Sequence, residues 1–594
     1  MKIKGVLKRV KKLDPLLKNF LKRNWSKYLL GILALIAVDS LQLVPPRLLG
    51  ILVDKIKGLS INLNGIIVYL VGILLVAGGM FLCRFFWRYL IRGTAIRFAH
   101  HTRMELFKKL LELSQSFFDF TPSGDLMARF TNDVRALQMM TSSAVVMLTD
   151  ALFLSIVTFT AMGYLVNWRL TLIACIPFPL LALVSLTFGK LIHERFMQVQ
   201  ERFSDLTRIA EETVSGIRVV KSCAIEDTMF GRFSNIAKAN IRSNMNLVKI
   251  WGLLYPLFEL IGGSGVVIAL IIGGKMVIFG TITLGEFVTF NVYLGMLIWP
   301  MIAMGWVLNV IQRGRASLKR IRKILDEKSL VAEPESPKKV QIHGNIDIHN
   351  LTFAYPGNER IVLKNINMKI RKGWFVGITG KTGSGKSTLI KLLLKMYPAP
   401  NGTIFLEGVD INDIPEEHLR DFVSYVPQEP FLFSTTIKEN ILFSVEESFG
   451  EQVEEYAKLA QVHEDITGFP DGYDTVVGER GITLSGGQKQ RVTLARGLIK
   501  PAPVVILDDC LSAVDVDTEQ RIIDELKKML GERTLIVITH RLKVLAKADI
   551  IYVFDDGRIV ESGSHDQLVS KDGLYRRMYE LQLKEEQVLE RSGD

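Results

Sequence analysis

The amino-acid sequence predicts a multi-domain fold in which an all-α membrane domain is followed by an α/β domain. Three observations predict it. Of the 594 residues, 48% are hydrophobic, and the mean hydropathy is +0.25, a positive value that soluble proteins of this length rarely reach. Long apolar runs fill the chain up to about residue 315. From Val340 onward, short β-like runs alternate with helical patterns instead.

Six apolar runs are long enough to cross a bilayer, which takes about 20 helical residues. They are Tyr28–Val53, Ile66–Leu90, Ala144–Leu165, Leu170–Leu191, Val248–Val277 and Phe287–Val310. We expect a basic segment over residues 1–27 and a membrane domain over 28–325. The number of spans is even and cations precede the first one, so both chain ends are expected in the cytosol of a cell-membrane protein. Pro45 and Pro46 predict a kink in the first span.

The loops between these runs are of two lengths. About 50 residues separate spans 2 and 3, and spans 4 and 5, whereas the other loops are short. Both long stretches contain few helix breakers, so each is expected to form two helical arms that reach ~35 Å into the cytosol. The turns expected at about 117–130 and 211–224 are suited to contact a cytosolic domain. Ordinary soluble helical loops are the alternative interpretation.

The net charge of +12 is not gathered in one basic domain. Much of it precedes the first span, where cations face anionic lipid, so we expect a lipid bilayer as a partner and no nucleic acid. The four cysteines form neither a C-x-x-C pair nor a cluster with histidine, which argues against a zinc site and a disulfide framework.

Three carboxylates, Asp39, Asp150 and Glu259, lie inside the predicted spans. An ionisable group in a membrane is costly and usually faces a cavity or a transport pathway. These acids are therefore candidates for a cavity that takes cationic or polar cargo. A structural role, in which they pair across helices or lie nearer the membrane interface, stays open.

The strongest chemical signal is the stretch from Gly380 to Ser387, which fits the pattern G-x-x-x-x-G-K-[ST] between an apolar strand and a helical run. Backbone N–H groups of such a loop surround phosphates at a helix N-terminus. Lys386 is expected to reach the β- and γ-phosphates, and the Ser387 hydroxyl to bind Mg²⁺. The residues expected to bind ATP here are Gly380, Lys381, Thr382, Gly383, Ser384, Gly385, Lys386, Ser387 and Thr388.

Four residues outside the loop are candidates for the same site. Asp508 ends the apolar run VVILD and is expected to associate with Mg²⁺. Gln428 is expected to contact Mg²⁺ or the attacking water, and His540, which follows another apolar strand, to contact the γ-phosphate. Tyr355 can stack on adenine through its ring face, although strand aromatics more often pack in a core.

The sequence LSGGQKQR (Leu484–Arg491) lies between the phosphate loop and the acidic strand end. It resembles the signature of ATP-binding cassette (ABC) proteins. The stretch Thr475–Gly481 resembles an additional loop of ABC exporters, and Ser512–Asp515 resembles their D-loop. The resemblance covers nearly the whole chain, and stretches such as FNVYLGMLIWPM are similar to the BmrC-like subunits of bacterial heterodimeric multidrug exporters.

The resemblance implies a half-transporter, with a six-helix transmembrane domain of the ABC exporter type and an α/β P-loop ATPase domain that has a helical subdomain. The nucleotide-binding domain is expected over residues 341–580, after a linker over 326–340 and before a polar tail over 581–594. Two cassettes of this family close head to tail around two ATP molecules. Ser485, Gly486, Gly487 and Gln488 would therefore act on the partner's ATP.

One position departs from the family pattern. The residue after the strand-end aspartate is normally a glutamate that orients the attacking water, and here it is Asp509. Its side chain is one methylene shorter, which retracts the carboxylate by ~1.5 Å, and a misplacement of ~1 Å can cost ~10²-fold in rate. We therefore expect Asp509, with His540 and Gln428, to form a site that binds ATP and hydrolyses it poorly. A heterodimer, whose partner supplies the glutamate, is favoured over a homodimer.

The function expected from these features is ATP-driven export of hydrophobic or amphipathic compounds, with ATP and Mg²⁺ as cofactors. A lipid flippase or a peptide exporter is the alternative within transport. An ABC ATPase that acts on nucleic acid is disfavoured by the six spans. An ATP-gated channel or sensor would differ from a pump in being unable to accumulate a dye against a gradient.

Overall fold

A computed structural model describes residues 14–592, except 332, 479–483, 513, 515 and 530. The described chain forms two compact units. The first, the membrane unit, holds the chain up to Leu111 together with Ser123–Glu327. The second, the ATPase unit, holds Glu112–Pro122 together with the chain from Lys328 onward.

The membrane unit has six helical segments long and apolar enough to cross a bilayer, which confirms the six predicted spans. They are Pro15–Lys57, Leu63–Glu112, Ser123–Leu165, Trp168–Ser215, Glu226–Ile278 and Leu284–Leu325. Each is longer than the apolar run within it, because the helices continue through the polar stretches on the cytosolic side. The fifth, with 53 residues in one helix, is ~80 Å long at 1.5 Å per residue.

Several spans are divided into shorter helices. The α-helices of this part of the chain are Pro15–Gln42, Val44–Lys57, Leu63–Trp87, Gly93–Glu112, Gln115–Phe120, Ser123–Ala128, Val134–Thr141, Ser143–Thr149, Ser155–Leu165, Trp168–Ala174, Phe178–Ser215, Ile217–Ser222, Glu226–Ile278, Leu284–Met296 and Ile298–Leu325. Wider π-helical turns at Arg88–Arg92, Arg129–Asp133 and Asp150–Leu154 join some of them. Such turns accommodate one extra residue in a helix and often occur at functional sites.

The first span is interrupted at Leu43, two residues before the first of the two prolines, close to the kink predicted from the sequence. Prolines lack the N–H that would bond to the preceding turn, so carbonyl groups there need other donors. The Tyr293 hydroxyl donates to the Leu43 carbonyl over 2.6 Å, and the Thr289 hydroxyl donates to the Pro46 carbonyl over 3.1 Å. The last span thereby donates two side-chain hydrogen bonds to backbone carbonyls at the break in the first.

The ATPase unit is built on two sheets. The strands are β1 (Ile346–Ala354), β2 (Ile361–Ile370), β3 (Phe375–Gly380), β4 (Ile404–Leu406), β5 (Val409–Asp410), β6 (Val423–Val426), β7 (Val504–Asp508), β8 (Thr534–Ile538), β9 (Ile550–Asp555) and β10 (Arg558–Gly563). The smaller sheet is antiparallel with the order β2-β1-β4-β5. The larger has the order β10-β9-β3-β8-β7-β6, parallel except at β10.

Every residue of β3, β7 and β8 is buried, as expected for central parallel strands that are covered on both faces. The α-helices of this unit after the linker are Lys386–Leu393, Glu416–Asp421, Ile437–Leu442, Val453–Leu459, His463–Thr467, Gly486–Leu498, Val516–Met529, His565–Ser570 and Leu574–Ser592. Four of them, from Ile437 to Leu498, contribute to one apolar cluster with β7 and form the expected helical part.

Some predicted segments lie partly outside the described residues. These are the start of the basic segment, the end of Thr475–Gly481 and two positions of Ser512–Asp515. The linker has no regular secondary structure where it is described. Residues 581–592, separated above as a polar tail, continue the last helix of the ATPase unit.

Candidate nucleotide site

The phosphate loop connects β3 to the helix that begins at Lys386. Gly380, Gly383 and Gly385 have φ angles of 137°, 78° and 100°, which side chains with a Cβ rarely adopt. A Cβ on Gly380 would also overlap the carbonyl of Phe554 on the neighbouring strand. The glycines at these positions therefore allow a tight loop whose N–H groups precede a helix N-terminus.

Lys386 lies inside this loop. Its Nζ donates to the carbonyl oxygens of Gly380 and Lys381, each over 2.9 Å. Burial lowers the pKa of Lys386, and the carboxylates of Asp509 and Asp508 oppose that shift. The ammonium is thus held among loop carbonyls, facing two acids.

Asp508 ends β7 and is 3% exposed. The Ser387 hydroxyl donates to its Oδ1 over 3.2 Å, and the Tyr425 hydroxyl donates to its Oδ2 over 3.4 Å. Burial raises the pKa of Asp508, while these hydrogen bonds and Lys386 act against the rise. The predicted pair of magnesium ligands, Ser387 and Asp508, is in direct contact.

Asp509 has a left-handed backbone conformation, with a φ of 45°. Its N–H donates to the Ile538 carbonyl over 2.9 Å, and its Oδ2 accepts from the side-chain amide of Gln428 over 3.2 Å. Burial raises the pKa of Asp509, and the nearby His540 and Lys386 limit the rise. Burial, together with Lys386, lowers the pKa of His540.

These residues surround one cleft of about 210 Å³. Its lining comprises Val362, Thr382, Gly383, Ser384, Gly385, Lys386, Ser387, Thr388, Gln428, Asp508, Asp509, Ile538 and His540. Two of the predicted site residues, Gly380 and Lys381, do not line the cleft themselves. Their carbonyl groups accept hydrogen bonds from Lys386, which does line it. Tyr355 reaches it through its hydroxyl, which lies 3.0 Å from the Thr388 Oγ1. The fold thus brings together residues that are up to 185 positions apart in the sequence.

The residues present fit an ATP–Mg²⁺ complex. The Ser384 Oγ is buried in the loop and has no hydrogen-bond partner among the described residues, so it is available to a phosphate oxygen. Carboxylate and hydroxyl oxygens of Asp508 and Ser387 are the ligand types that Mg²⁺ prefers. The loop supplies N–H groups and one ammonium for the phosphate charge.

The predicted signature residues lie elsewhere in the same unit. Ser485 caps the helix Gly486–Leu498, since its hydroxyl accepts from the Gln488 N–H over 3.2 Å while the Gln488 side chain accepts from the Ser485 N–H over 3.0 Å. Ser485 and Gly486 are exposed, and Gly487 is partly exposed. None of these four residues lines the cleft described above.

The three membrane acids differ in their surroundings. Asp39 is 3% exposed and interacts electrostatically with Asp150 and Arg84. One carboxylate oxygen of Asp39 and one of Asp150 are buried without a hydrogen-bond partner among the described residues. Glu259 is exposed on the helix Glu226–Ile278. The structure therefore groups Asp39 with Asp150 and leaves Glu259 on an open face.

Three residues near the site were not singled out from the sequence. Tyr425, which contacts Asp508, lies in the strand just before Gln428. Its place in that strand could have been used to predict that it lies near the site. Gln582 accepts from the Leu542 N–H over 2.9 Å and donates to the His540 carbonyl. Tyr397 contacts Tyr355. Nothing local in the sequence indicates the last two, because both contacts depend on the tertiary fold.

Comparison with known proteins identifies the family. Residues 28–301 match the family model of the ABC transporter transmembrane region, and residues 363–512 match the model described as ABC transporter. Together these matches cover more than half of the chain, which therefore belongs to the ABC transporters.

Individual relatives indicate which kinds of ABC transporter this chain is similar to. The chain is 38% identical to "Probable multidrug resistance ABC transporter ATP-binding/permease protein YheI" of Bacillus subtilis (strain 168), over 95% of this chain and 96% of the relative. It is 35% identical to an "ATP-dependent lipid A-core flippase" of Syntrophus aciditrophicus (strain SB), over 93% and 90%. A solved structure of a bacterial Atm1-family ABC exporter with ATP bound is 26% identical, with a TM-score of 0.77 over 95% of this chain and 99% of that chain.

The chain is thus an ABC exporter half-transporter, in which a six-helix membrane domain is fused to one ATPase domain. It is a multi-pass membrane protein whose nucleotide-binding domain is cytoplasmic. Its ATPase domain implies binding of ATP, and exporters of this family work as dimers in a lipid bilayer.

Proposed function

We propose that this chain is one subunit of a heterodimeric exporter that moves hydrophobic or amphipathic compounds across the cell membrane. The observation that carries the proposal is the cleft in which the phosphate loop, both strand-end acids, Gln428 and His540 meet, in a chain that also has six membrane spans. The similarity to a multidrug transporter of Bacillus subtilis supports this class of cargo.

In this proposal the chain's own residues hold Mg-ATP. Lys386 and the loop N–H groups bind the phosphates, Ser387, Asp508 and Gln428 hold Mg²⁺, and Tyr355 faces the adenine. Bound Mg²⁺ would neutralise phosphate charge and orient the terminal phosphate for attack by water. His540, whose pKa is lowered by burial, would donate a hydrogen bond toward the γ-phosphate.

The proposed hydrolysis at this site is slow because of Asp509. Its carboxylate ends ~1.5 Å short of a glutamate carboxylate at the same position, and displacements of ~1 Å can cost ~10²-fold in rate. It is also held by the Gln428 amide, which favours a retracted position. The site would therefore bind ATP and turn it over poorly.

A heterodimer is proposed because the chain's own hydrolytic position departs from the family pattern at Asp509, whereas its signature sequence keeps that pattern. Ser485–Gln488 keeps the full pattern at an exposed helix start, where N–H groups suit a γ-phosphate. Those residues do not line the chain's own cleft, so they would act on ATP that is bound by a partner. A partner with glutamate after its strand-end aspartate would supply the hydrolytically competent site.

The cargo site is proposed to include Asp39 and Asp150. Counted at 1.5 Å per residue from the outer ends of their spans, Asp39, Asp150 and Glu259 lie at similar depths of ~27, ~22 and ~29 Å. Each of the two carboxylates has one buried oxygen without a hydrogen-bond partner among the described residues, which favours a cationic or polar ligand. Export of a lipid is the second candidate, supported by the similarity to a lipid A-core flippase.

The proposal is tested with the chain alone and together with its partner half-transporter, in inside-out vesicles. We expect ATP-dependent accumulation of a cationic dye only by the complex, and its loss in Lys386→Ala. A control, Lys364→Ala, removes a surface ion pair of 2.7 Å to Asp556 and should leave transport intact. Robust ATP turnover by the chain alone would contradict the heterodimer.

Cargo class is tested separately. Asp39→Asn and Asp150→Asn should reduce export of a cationic dye more than export of a neutral amphiphile of similar size. If both compounds are exported normally and a fluorescent lipid analogue is translocated instead, the lipid alternative replaces the multidrug proposal.

A further inference from the structure

The carboxylate of Asp465 contacts two residues near the start of the helix Gly486–Leu498. Its Oδ1 accepts from the Gln488 side-chain amide over 2.9 Å, and its Oδ2 lies 2.8 Å from a nitrogen of the Arg491 guanidinium. Gln488 and Arg491 are three positions apart, so they lie on one face of their helix. Asp465 belongs to the neighbouring helix His463–Thr467 and therefore connects the two helices through both of its oxygens.

The orientation of the Gln488 amide follows from its two partners. The Asp465 carboxylate can only accept a hydrogen bond, whereas the Ser485 N–H can only donate one. The amide nitrogen must therefore face Asp465, and the amide oxygen accepts from the Ser485 N–H over 3.0 Å. A reversed amide would lose both bonds, so the cap at Ser485 depends on the carboxylate of Asp465.

Ser485 is the residue of this network that is exposed to solvent. Its side-chain oxygen accepts from the Gln488 N–H over 3.2 Å, which leaves its hydroxyl hydrogen available to an acceptor such as a phosphate oxygen. Asp465, Gln488 and Arg491 are each partly buried. A donor at the surface is thus held by side chains that lie beneath it.

Arg491 fixes the position of Asp465 in turn. A second nitrogen of its guanidinium donates to the Gln461 carbonyl over 2.5 Å, in the turn that precedes the helix of Asp465. The Arg491 side chain is 19% exposed and the Asp465 side chain 29% exposed, so solvent and salt screen this ion pair less than a fully exposed one. Arg491 thereby holds one carboxylate oxygen and leaves the other for Gln488.

On the basis of the proposed function, we infer that Asp465 is a positioning residue for hydrolysis of the ATP that the partner binds. It orients the Gln488 amide, and Gln488 sets the position of the Ser485 hydroxyl. A misplacement of ~1 Å can cost ~10²-fold in rate, so a donor to the γ-phosphate needs such support. Asp465 itself does not touch the nucleotide in this role, and it should therefore affect the rate of turnover more than ATP binding.

The heterodimer in lipid nanodiscs is suited to measure this effect. Asp465→Ala should lower the kcat of ATP turnover about 10-fold, as expected for a displacement of a fraction of an ångström. Vanadate trapping of nucleotide on the partner chain should fall with it, whereas photolabelling of each chain by an azido-ATP analogue should show wild-type affinity. Asp465→Asn keeps one acceptor oxygen and should show a smaller loss of the same kind, which tests the role even if Asp465→Ala does not assemble.

Asp524→Ala is the matched control. The Asp524 carboxylate likewise accepts from a glutamine side chain, Gln520, over 3.3 Å and pairs with a cation, Lys547, over 2.6 Å. Its side chain is 30% exposed, against 29% for Asp465. Neither of its two partners belongs to the signature, so kcat and vanadate trapping should stay at their wild-type values.

A double-mutant cycle identifies the route. Because Asp465 acts through Gln488, Asp465→Ala should add little to the loss that Gln488→Ala causes. An unchanged kcat in Asp465→Ala, an equal loss in Asp524→Ala, or independent losses in the double variant would overturn the role of Asp465. Ser485→Ala distinguishes this failure from that of the proposed function. If Ser485→Ala lowers turnover, only the role of Asp465 has failed, and if it leaves turnover unchanged, the signature does not act on the partner's ATP and the proposed function fails.

Discussion

The side-chain amide of Gln428 donates a hydrogen bond of 3.2 Å to the carboxylate of Asp509. This contact joins the second residue after β6 to the first residue after β7, on the edge of the sheet where the phosphate loop also lies. It holds the shorter carboxylate at the rim of the cleft. The identity of residue 509 is therefore expected to limit hydrolysis.

Asp509→Glu should raise ATP turnover at this site. The longer side chain advances the carboxylate by ~1.5 Å, and correcting a displacement of that size is expected to raise the rate about 10- to 100-fold. The measurement is steady-state ATPase of the complex, with the partner's competent site disabled so that only this site is seen. Asp509→Asn, which has the same length without the charge, is the control and should not raise the rate. An unchanged rate in Asp509→Glu would show that the missing methylene is not limiting.

Gln582 should position His540. It bonds to backbone groups on both sides of Arg541, at the His540 carbonyl and the Leu542 N–H. In a chain that carries Asp509→Glu, Gln582→Ala should lower turnover about 10-fold, because the His540 segment can shift by a fraction of an ångström or more. ATP affinity, measured in parallel, should change much less.

Two comparisons separate this role from general stability. Gln582→Glu keeps the acceptor for Leu542 and loses the donor to His540, so its effect should be intermediate. Gln567→Ala removes a similar side-chain bond of 3.1 Å to the Ser564 N–H in the preceding helix. Equal losses in Gln582→Ala and Gln567→Ala would contradict a specific role for Gln582.

Local patterns were sufficient to predict the spans and most of the cleft. Six runs of about 20 apolar residues exceed what a soluble fold requires, and the structure has helices at all six. The phosphate loop, Asp508 and Gln428 follow apolar strands, and parallel strands bring such ends to one sheet edge. Position in the chain was therefore enough to predict that these residues would meet.

Contacts between distant segments could not be predicted in this way. Gln582 reaches His540 from a stretch that composition alone separates as a polar tail, and Asp119 meets Tyr397 across 278 positions. Neither contact is marked in the sequence by a hydrophobic period or by the fixed spacing of a motif. The π-helical turn that begins at Asp150 also has no local signal, because the extra residue is accommodated by packing against other spans.

Asp133 should contribute strongly to the stability of the membrane unit. Its carboxylate, 4% exposed, accepts from the Ser317 hydroxyl over 2.8 Å and from the Arg320 Nε over 2.9 Å, both on the last span. It also accepts from Arg129 over 3.2 Å. Arg320→Ala would leave a buried carboxylate with fewer partners and should lower the free energy of unfolding by about 2 kcal/mol. This loss is smaller than the loss expected on breaking a fully buried ion pair, because Arg320 is partly exposed to solvent.

The measurement is thermal unfolding of the purified protein in detergent. Asp133→Ala combined with Arg320→Ala should cost less than the sum of the single changes, since the double variant no longer contains the buried carboxylate that Arg320→Ala alone leaves with fewer partners. Asp326→Ala, which removes an exposed ion pair of 2.6 Å to Arg322 on the same span, is the control and should change stability by less than about 0.5 kcal/mol. Additive losses at Asp133 and Arg320 would argue that the two side chains act independently.

Glu407 should make the stability of the ATPase unit depend on pH in acid. Its Oε1 accepts from the N–H groups of His343, Gly344 and Asn345 over 2.8–2.9 Å, and its Oε2 accepts from the Asn345 side chain over 2.7 Å. Burial alone would raise the pKa of Glu407, but these hydrogen bonds outweigh it, and the pKa in the folded state is lowered from 4.5.

Because the folded pKa lies below the unfolded one, the charged form of Glu407 stabilises the fold fully above about pH 4.5, and this contribution disappears as the pH falls through the folded pKa. Glu407→Gln keeps the shape and an acceptor oxygen but replaces charge-assisted bonds with neutral ones, which should cost about 1–2 kcal/mol at pH 7. The deficit, measured by thermal unfolding between pH 7 and pH 3, should shrink toward the acid end. Glu532→Gln, which removes an exposed partner of Lys372, should have a smaller effect at pH 7. A deficit in Glu407→Gln that stays constant down to pH 3 would show that its charge does not stabilise the fold.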